Sequence, residues 1–162
     1  MTDTQRETYA RAVERHSDSV YRLAVVYLRD PQEAGDCCQD VFIKLMERRR
    51  GFESEEHRKA WLLAVTKNVC RDRLRRLRRG SVASLDSLQD SIAHSQADPA
   101  GEELLALIFT LPQGDRDVLY LHYYEGYSVR ELCALLRLRE SAAKQRLSRA
   151  RARLRDLMNE SA

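Results

Sequence analysis

Apolar side chains recur every three or four residues through most of the chain, which is the spacing of one buried face on an α-helix. Short breaks that contain proline, glycine or clustered charges separate the segments. The pattern therefore predicts an all-α protein. The predicted helices cover residues 5–28, a segment that opens at Asp30, residues 60–79, a segment from about 101 to 111, and residues 115–124, 129–137 and 140–158.

The second segment has a strong helix-start signal. Asp30 precedes Pro31, and Glu33 follows three residues after Asp30, so a cap, a first-turn proline and an acid near the positive end of the helix dipole coincide. Its apolar residues predict a core stripe of Ala34, Cys37, Cys38, Val41, Phe42, Leu45 and Met46. The other side is a mixed-charge surface with Asp36, Gln39, Asp40, Ile43 and Lys44.

The segment at 60–79 changes character along its length. Its first half is apolar around Trp61, Leu63 and Val65, whereas from Lys67 onward seven bases accompany a single acid, Asp72. We predict a helix that is anchored in the core at its start and offers a polyanion-binding face at its end. A solvated, arginine-rich surface helix is the alternative.

The loop before this helix combines an aromatic residue with cations. Three arginines at 48–50 precede Gly51 and Phe52, and the glycine is predicted to end the second helix. An exposed phenylalanine beside arginines suits stacking on an unpaired nucleic-acid base, while the charges attract phosphate. A phenylalanine that simply caps the neighbouring core is the alternative.

The C-terminal segments predict a helix-turn-helix. Ser128 and Glu131 form a capping-box pattern at the start of the helix at 129–137. In the last helix, the predicted buried stripe consists of Ala143, Leu147, Ala150, Leu154 and Leu157. The opposite face holds small polar and basic residues that suit the major groove: Ser141, Gln145, Ser148 and Ala152, flanked by Lys144, Arg149 and Arg151. A solvated face is again the alternative.

Charge divides the chain into three parts. Residues 1–79 carry a formal charge of +5, residues 80–103 carry −5 without a single base, and residues 104–162 carry +3. The middle part is rich in serine and aspartate and has too few apolar residues to fold by itself. We predict two small helical domains, at 1–79 and 104–162, joined by a flexible acidic linker at 80–103.

Several function classes are disfavoured. No apolar run approaches the ~20 residues that cross a bilayer, and the N-terminus lacks a signal-peptide core, so we predict a cytoplasmic protein without membrane insertion. The cysteines lack metal-ligand spacing and are predicted to be free, buried thiols: Cys37, Cys38, Cys70 and Cys133. Without a phosphate-cradling loop or a cluster of catalytic groups, no enzymatic activity, cofactor or metal is expected.

The chain resembles bacterial sigma-70 family sigma factors of the small, two-domain extracytoplasmic-function (ECF) group. The stretches VYRLAVVYLRDPQEAGDCCQDVFIKLMERRRGF and RKAWLLAVTKNVCRDRLRR are similar to the family's region 2. The stretch LPQGDRDVLYLHYYEGYSVRELCALLRLRESAAKQRLSRARARLRDLM is similar to its region 4. Two long matches in the family's order are far more specific than a single helix-turn-helix.

The resemblance implies three sets of site residues. Binding of the RNA polymerase core, through its clamp coiled coil, is implied for Asp36, Gln39, Asp40, Phe42 and Lys44, with Phe42 as core support. Capture of unpaired bases and phosphates of the promoter's minus-ten element is implied for Arg50, Phe52, Lys67, Asn68, Arg71 and Arg75. Recognition of the minus-thirty-five element is implied for Ser141, Lys144, Gln145, Ser148 and Arg149.

The resemblance also implies partners, and it leaves rivals. The expected partners are the polymerase core, including its flap, promoter DNA and an anti-sigma factor. Arg137 replaces a usual turn glycine and Arg139 a usual capping serine, which leaves open a later start of the recognition helix. The rival functions are a DNA-binding regulator without a polymerase role and a sigma-like module that sequesters a partner.

Overall fold

The computed structural model describes residues 1–77 and 99–161, apart from the side chains of residues 77, 99–102 and 161. The chain divides into two compact units, Met1–Ser81 and Val82–Ala162. Within the described ranges there are seven α-helices and one π-helical turn, without a strand. The all-α prediction is confirmed. Most of the predicted linker lies outside the described residues, and its last part, from Pro99 onward, is helical.

Three mutually packed helices build the first unit: α1 (Asp3–Leu28), α2 (Pro31–Glu47) and α3 (Glu55–Leu77). All three predicted features at the start of α2 are present. Pro31 is the first helical residue, Glu33 lies in the first turn, and the Asp30 carboxylate accepts hydrogen bonds from the amides of Gln32 and Glu33. Thr2 forms a capping box with Gln5 at the start of α1.

The core of the first unit combines residues from all three helices. Its fully buried apolar side chains include Val20, Leu23, Ala24, Val26, Ala34, Cys37, Val41, Leu62, Leu63 and Cys70. The predicted stripe of α2 is too wide, because Met46 is 49% exposed. At about 100° per residue, Met46 is rotated by about 120° from Ala34, and it lies in the last turn of the helix.

α3 begins five residues before the predicted start. The Ser54 hydroxyl accepts a hydrogen bond from the His57 amide at 3.0 Å, and the Ser54 carbonyl accepts one from the Arg58 amide at 3.1 Å. Glu55 and Glu56 follow in the first turn, where acids are stabilised by the helix dipole. Serine capping therefore starts the helix ahead of its apolar stripe.

Four α-helices and the π-helical turn form the second unit. They are α4 (Pro99–Phe109), α5 (Gln113–Leu119), the π-helical turn (Tyr120–Tyr124), α6 (Val129–Leu136) and α7 (Glu140–Ser161). Their side chains enclose a core that includes Leu105, Ile108, Phe109, Leu119, Tyr120, Leu121, Leu132, Ala143 and Ala150. The single helix predicted at 115–124 is thus an α-helix that continues into a π-helical turn.

The turn between α6 and α7 has a left-handed residue at its first position. Arg137 has φ 55° and ψ 49°, and its amide bonds the Cys133 carbonyl. The Leu138 amide also bonds that carbonyl, at 3.0 Å. α7 then begins at Glu140, with the Ala143 amide bonded to the Arg139 carbonyl at 2.9 Å. The helix starts where it was predicted, despite the arginines in the turn.

Candidate nucleic-acid and polymerase interfaces

The five candidate residues of α7 are all exposed and lie opposite its buried stripe. Ala143, Leu147 and Ala150 are buried, whereas the candidates stand in solvent: Ser141, Lys144, Gln145, Ser148 and Arg149. Lys144 bonds Glu140 one turn earlier at 3.0 Å, and both side chains are well exposed. An exposed pair of this kind contributes little to stability and is easily exchanged for another anion.

Two arginines anchor α7 to α5, and the sequence analysis missed them. Arg146 pairs with Asp117 at 2.8 Å and also donates to the Gly114 carbonyl. Arg153 pairs with Asp115 at 2.6 Å. The paired acids are buried, since Asp117 is 2% exposed. The two arginines therefore fix the helix. The available signal was the pair of acids at 115 and 117, directly before the apolar residues Val118 and Leu119.

On α3, the candidate residues divide between surface and core. Asn68 and Arg75 are exposed, and Arg71 is partly exposed. Lys67 is only 2% exposed, because it lies one turn from buried Leu63 and Cys70 on the core side of the helix. The assignment of Lys67 to DNA contact is corrected accordingly: its side chain belongs to the interior.

Arg73 is likewise committed within the protein. It donates to Glu33 at 2.8 Å and to Asp40 at 2.9 Å, both on α2. These carboxylates raise the pKa of the guanidinium, with the hydrogen bond to Asp40 as the largest cause. The basic half of α3 therefore serves in part to bind α2 through ion pairs, and only the rest of it forms an exposed cationic face.

Phe52 is partly buried within a cluster of arginine and aromatic side chains, so the expected free exposure is wrong. Its ring meets Trp61 edge to face, with centroids 5.6 Å apart. The Arg48 guanidinium lies 4.4 Å from the Phe52 ring centroid and 5.0 Å from that of Trp61, and Arg58 lies 5.2 Å from Phe52. The ring therefore packs on the protein with cationic guanidinium groups beside it, while Arg50 is exposed nearby.

Glu55 ties this cluster to α1. Its carboxylate contacts His16 at 3.1 Å and also pairs with Arg58. The hydrogen bond with His16 is the largest cause of a lowered pKa of Glu55. Since Arg58 also lies against Phe52, the loop at 48–54 is linked through Glu55 to a buried histidine of the first helix.

The exposed side of α2 forms the wall of a groove against α3. The groove is lined by Asp40, Ile43, Lys44, Glu47, Val69, Asp72, Arg73 and Arg76. Asp36, Gln39 and Lys44 are exposed, whereas Asp40 is partly exposed and bonded to Arg73. Phe42 is 7% exposed, so it lies in the core as expected and offers no direct contact to a partner. Ile43, which is exposed, adds an apolar contact to this surface.

The cysteines are free thiols with different burial. Cys37 and Cys70 are buried, with their sulfurs 3.2 Å apart, while Cys38 and Cys133 are partly exposed. Burial raises the pKa of Cys38 to about 12 and also raises that of Cys70. Thiols with raised pKa values hold little of the reactive thiolate at neutral pH. Among the described residues, no group of three or more potential ligands is placed to hold a metal ion, and no helix is long and apolar enough to cross a membrane.

Comparison with family models matches both units. The model described as Sigma-70 region 2 matches residues 12–80, and the model described as Sigma-70, region 4 matches residues 101–154. The two matches follow the order of the units along the chain.

Relatives with curated names give the same result. A probable RNA polymerase sigma factor, RfaY of Xanthomonas campestris pv. campestris, is 30% identical over 93% of this chain, although the chain spans only 40% of that relative. The ECF RNA polymerase sigma factor SigM of Mycobacterium tuberculosis is 26% identical over 94% of the chain and 78% of the relative. CarQ of Myxococcus xanthus, also named an RNA polymerase sigma factor, is 26% identical over 98% of the chain and 93% of its own length.

Two solved structures share the fold. One is the sigma factor RpoE in complex with the anti-sigma factor NepR from Bartonella quintana, with a TM-score of 0.69, 21% identity and coverage of 94% of this chain and 98% of that one. The other is CnrH in complex with the cytosolic domain of CnrY, with a TM-score of 0.68, 24% identity and coverage of 97% and 91%.

Proposed function

The chain belongs to the sigma-70 family, and from that membership we propose that it acts as an RNA polymerase sigma factor of the ECF group. In this role it binds the polymerase core, recognises the two promoter elements and promotes DNA opening without catalysing a reaction itself. The observation that supports the proposal most is that the two matched regions follow each other in one chain. A DNA-binding regulator would need only the second of them.

The second unit is proposed to read duplex DNA with α7. A stripe that is buried from Ala143 to Leu154 and two ion pairs to α5 fix the helix, so the opposite face is presented in a defined orientation. Its small residues Ser141 and Ser148 allow close approach to the major groove. Lys144, Gln145 and Arg149 have the length and donor groups that read base edges.

The first unit is proposed to hold the opened strand. Asn68 is exposed on α3 and has an amide that can pair with the edge of a flipped base, while Arg71 and Arg75 are placed for phosphates. The cluster around Phe52 and Arg50 supplies flat aromatic and guanidinium groups for stacking. Each stacked base contributes roughly 1 to 3 kcal/mol, so one or two captured bases offset a local melting cost of a few kcal/mol.

The polymerase core is proposed to bind the exposed side of α2. Asp36, Gln39 and Lys44 lie on that side, with partly exposed Asp40 beside them. Docking on the clamp coiled coil is the expected mode, with the second unit meeting the flap. Because the polymerase is an intracellular enzyme, the protein is proposed to act in the cytoplasm.

An anti-sigma factor is the proposed regulator. One solved structure with the same fold is, by its title, a sigma factor in complex with an anti-sigma factor. A partner that covered the α2 surface would prevent polymerase binding, and its identity is a matter for experiment.

Capture of purified core polymerase separates the proposal from the DNA-binding regulator. We expect the wild-type chain to retain core polymerase on a pull-down, and Asp36→Arg to weaken this retention at least tenfold because it reverses an exposed charge in the proposed interface. Asp18→Arg makes the same charge change at an exposed position of α1 and serves as the matched control. Equal retention of all three proteins, or of none, would favour the regulator.

A further inference from the structure

The π-helical turn places an aromatic and a histidine side chain beside the recognition helix. Tyr120, at the start of the turn, is fully buried and stacks on Tyr124 with ring centroids 5.2 Å apart. The Glu125 amide bonds the Tyr120 carbonyl five residues earlier, at 3.1 Å. With its two ends packed in this way, the turn directs its middle residues toward the surface. There Tyr123 is 46% exposed, and its ring meets His122 edge to face.

Both outward residues hold one arginine of α7. The Arg151 Nε donates to the Tyr123 hydroxyl, and the guanidinium carbon lies 5.6 Å from the Tyr123 ring centroid. The Arg151 Nη2 lies 3.4 Å from His122 Nε2. His122 Nδ1 is 2.7 Å from the Tyr127 carbonyl oxygen, which can only accept, so Nδ1 carries the proton and Nε2 of the neutral ring accepts from Arg151.

Arg151 differs from the anchoring arginines of the same helix. Arg146 and Arg153 each pair with an acid of α5, whereas no carboxylate of the described residues pairs with Arg151. Its two contacts are neutral groups, so its position is fixed while its positive charge is not compensated. A rigid, exposed and uncompensated guanidinium is well suited to bind an oxyanion.

The position of Arg151 indicates which anion it would meet. At about 100° and 1.5 Å per residue, Arg151 is within about 20° of Lys144 around α7 and about 10 Å further along it. It therefore continues the edge of the exposed face that carries Lys144 and Ser148. A duplex held against that face would present its phosphate backbone along this edge.

We propose that Arg151 and Tyr123, braced by His122, form a binding site for one backbone phosphate of the DNA duplex that α7 contacts. The guanidinium offers its Nη hydrogens, and the Tyr123 hydroxyl, which accepts from Arg151, offers its own hydrogen to the same phosphate. The site adds affinity without sequence information, and His122 acts as a positioning residue. This inference rests on the proposed function of the second unit and goes beyond the assigned recognition residues.

The salt dependence of duplex binding tests the site. The full chain is titrated with a short duplex of random sequence between about 50 and 200 mM salt, and log K is plotted against log salt concentration. Loss of one phosphate contact lowers the magnitude of the slope by about 0.9. Arg151→Gln is expected to show this change, while Tyr123→Phe keeps the slope and weakens binding about three- to tenfold, as for one lost hydrogen bond.

Two further variants exclude a merely structural role. Arg151→Lys keeps the positive charge but lacks the paired N–H donors of the guanidinium. It should therefore keep the wild-type slope, with an affinity between those of the wild type and Arg151→Gln. Arg11→Gln removes an exposed cation of the other unit and should leave the slope unchanged. Thermal unfolding of each variant shows whether its binding is weaker because less of the protein is folded. Such a loss would lower the apparent affinity but would not change the slope of log K against log salt concentration.

The outcomes are distinguishable from failure of the proposed function. If Lys144→Gln lowers the slope and Arg151→Gln does not, the phosphate site is overturned while DNA binding by α7 stands. If Arg151→Gln instead abolishes core polymerase binding with an unchanged slope, the surface belongs to a protein partner and the site is again overturned. If the wild-type chain binds no duplex, both this inference and the proposed role of the second unit fail.

Discussion

Two residues show that the polarity of a side chain does not by itself predict its burial. A DNA contact was expected for Lys67 from the family resemblance and from its place among the bases of α3, yet it is 2% exposed. A long side chain can bury its methylene groups and reach an internal partner, so its class alone does not decide its place. Phe52 deviates in the same direction, since Arg48, Arg58 and Trp61 half bury its ring. These neighbours are close in sequence, but whether their side chains meet the ring depends on how the loop folds back onto α3, which residue type alone does not specify.

The corrected position of Lys67 can be checked against its exposed neighbour Arg75. Binding of single-stranded minus-ten DNA is measured as a function of salt for Lys67→Met and Arg75→Gln. Arg75→Gln should lower the magnitude of the salt slope by about 0.7, the value for one phosphate of a single strand. Lys67→Met should leave the slope unchanged, because a buried ammonium releases no counterion. A lower slope for Lys67→Met would return Lys67 to the DNA-binding surface.

A single backbone conformation gives a stability prediction. Arg137 has a positive φ of 55°, where a Cβ atom costs roughly 1–2 kcal/mol. Arg137→Gly removes that clash but increases the backbone entropy of the unfolded chain, so we expect a net gain of about 0.5–1 kcal/mol in the free energy of unfolding. Denaturant titration measures it. Arg137→Ala retains the Cβ and is the control, and equal stability of the two variants would contradict the explanation.

At the scale of elements, local signals predicted some helix starts and missed others. Asp30 with Pro31, and Ser128 with Glu131, each cap a helix as predicted, because capping is decided within four residues. The start of α3 at Glu55 was missed because Ser54 lies well before the apolar stripe on which the prediction relied. The π-helical turn has no sequence signature of its own and is held by the buried Tyr120.

The anchoring of α7 on α5 is the element-scale feature that orients the proposed recognition face. Arg146→Met removes a cation that pairs with the buried Asp117, and we expect the second unit to lose about 3 kcal/mol of stability, as for one partner removed from a buried pair. Lys144→Met removes an exposed pair on the same helix and should cost less than 1 kcal/mol. Urea unfolding of both variants provides the comparison.

A loss of similar size in the two variants would contradict this assignment of Arg146. In that case the orientation of α7 would rest on its apolar stripe alone. The duplex-binding face would then be less rigidly presented than the ion pairs indicate.

For the whole molecule, the sequence supported a functional hypothesis better than it supported individual contacts. Two separated patterns in a fixed order identify the family, and the separate charges of the two ends agree with two nucleic-acid contacts. Side-chain partners such as Arg73 with Asp40, or Arg151 with Tyr123, depend on how helices pack, which periodicity does not specify. The order of the two regions therefore supports the proposed function, and the packing of the helices shows which of the candidate side chains are accessible for it.

Run-off transcription from a library of random promoter templates, with purified core polymerase and the purified chain, tests the central claim most directly. The account predicts specific transcripts whose templates share an upstream and a downstream sequence element, and loss of these transcripts with Asp36→Arg but not with Asp18→Arg. Transcription no different from that of core polymerase alone, by a chain that is folded and binds duplex DNA, would contradict it.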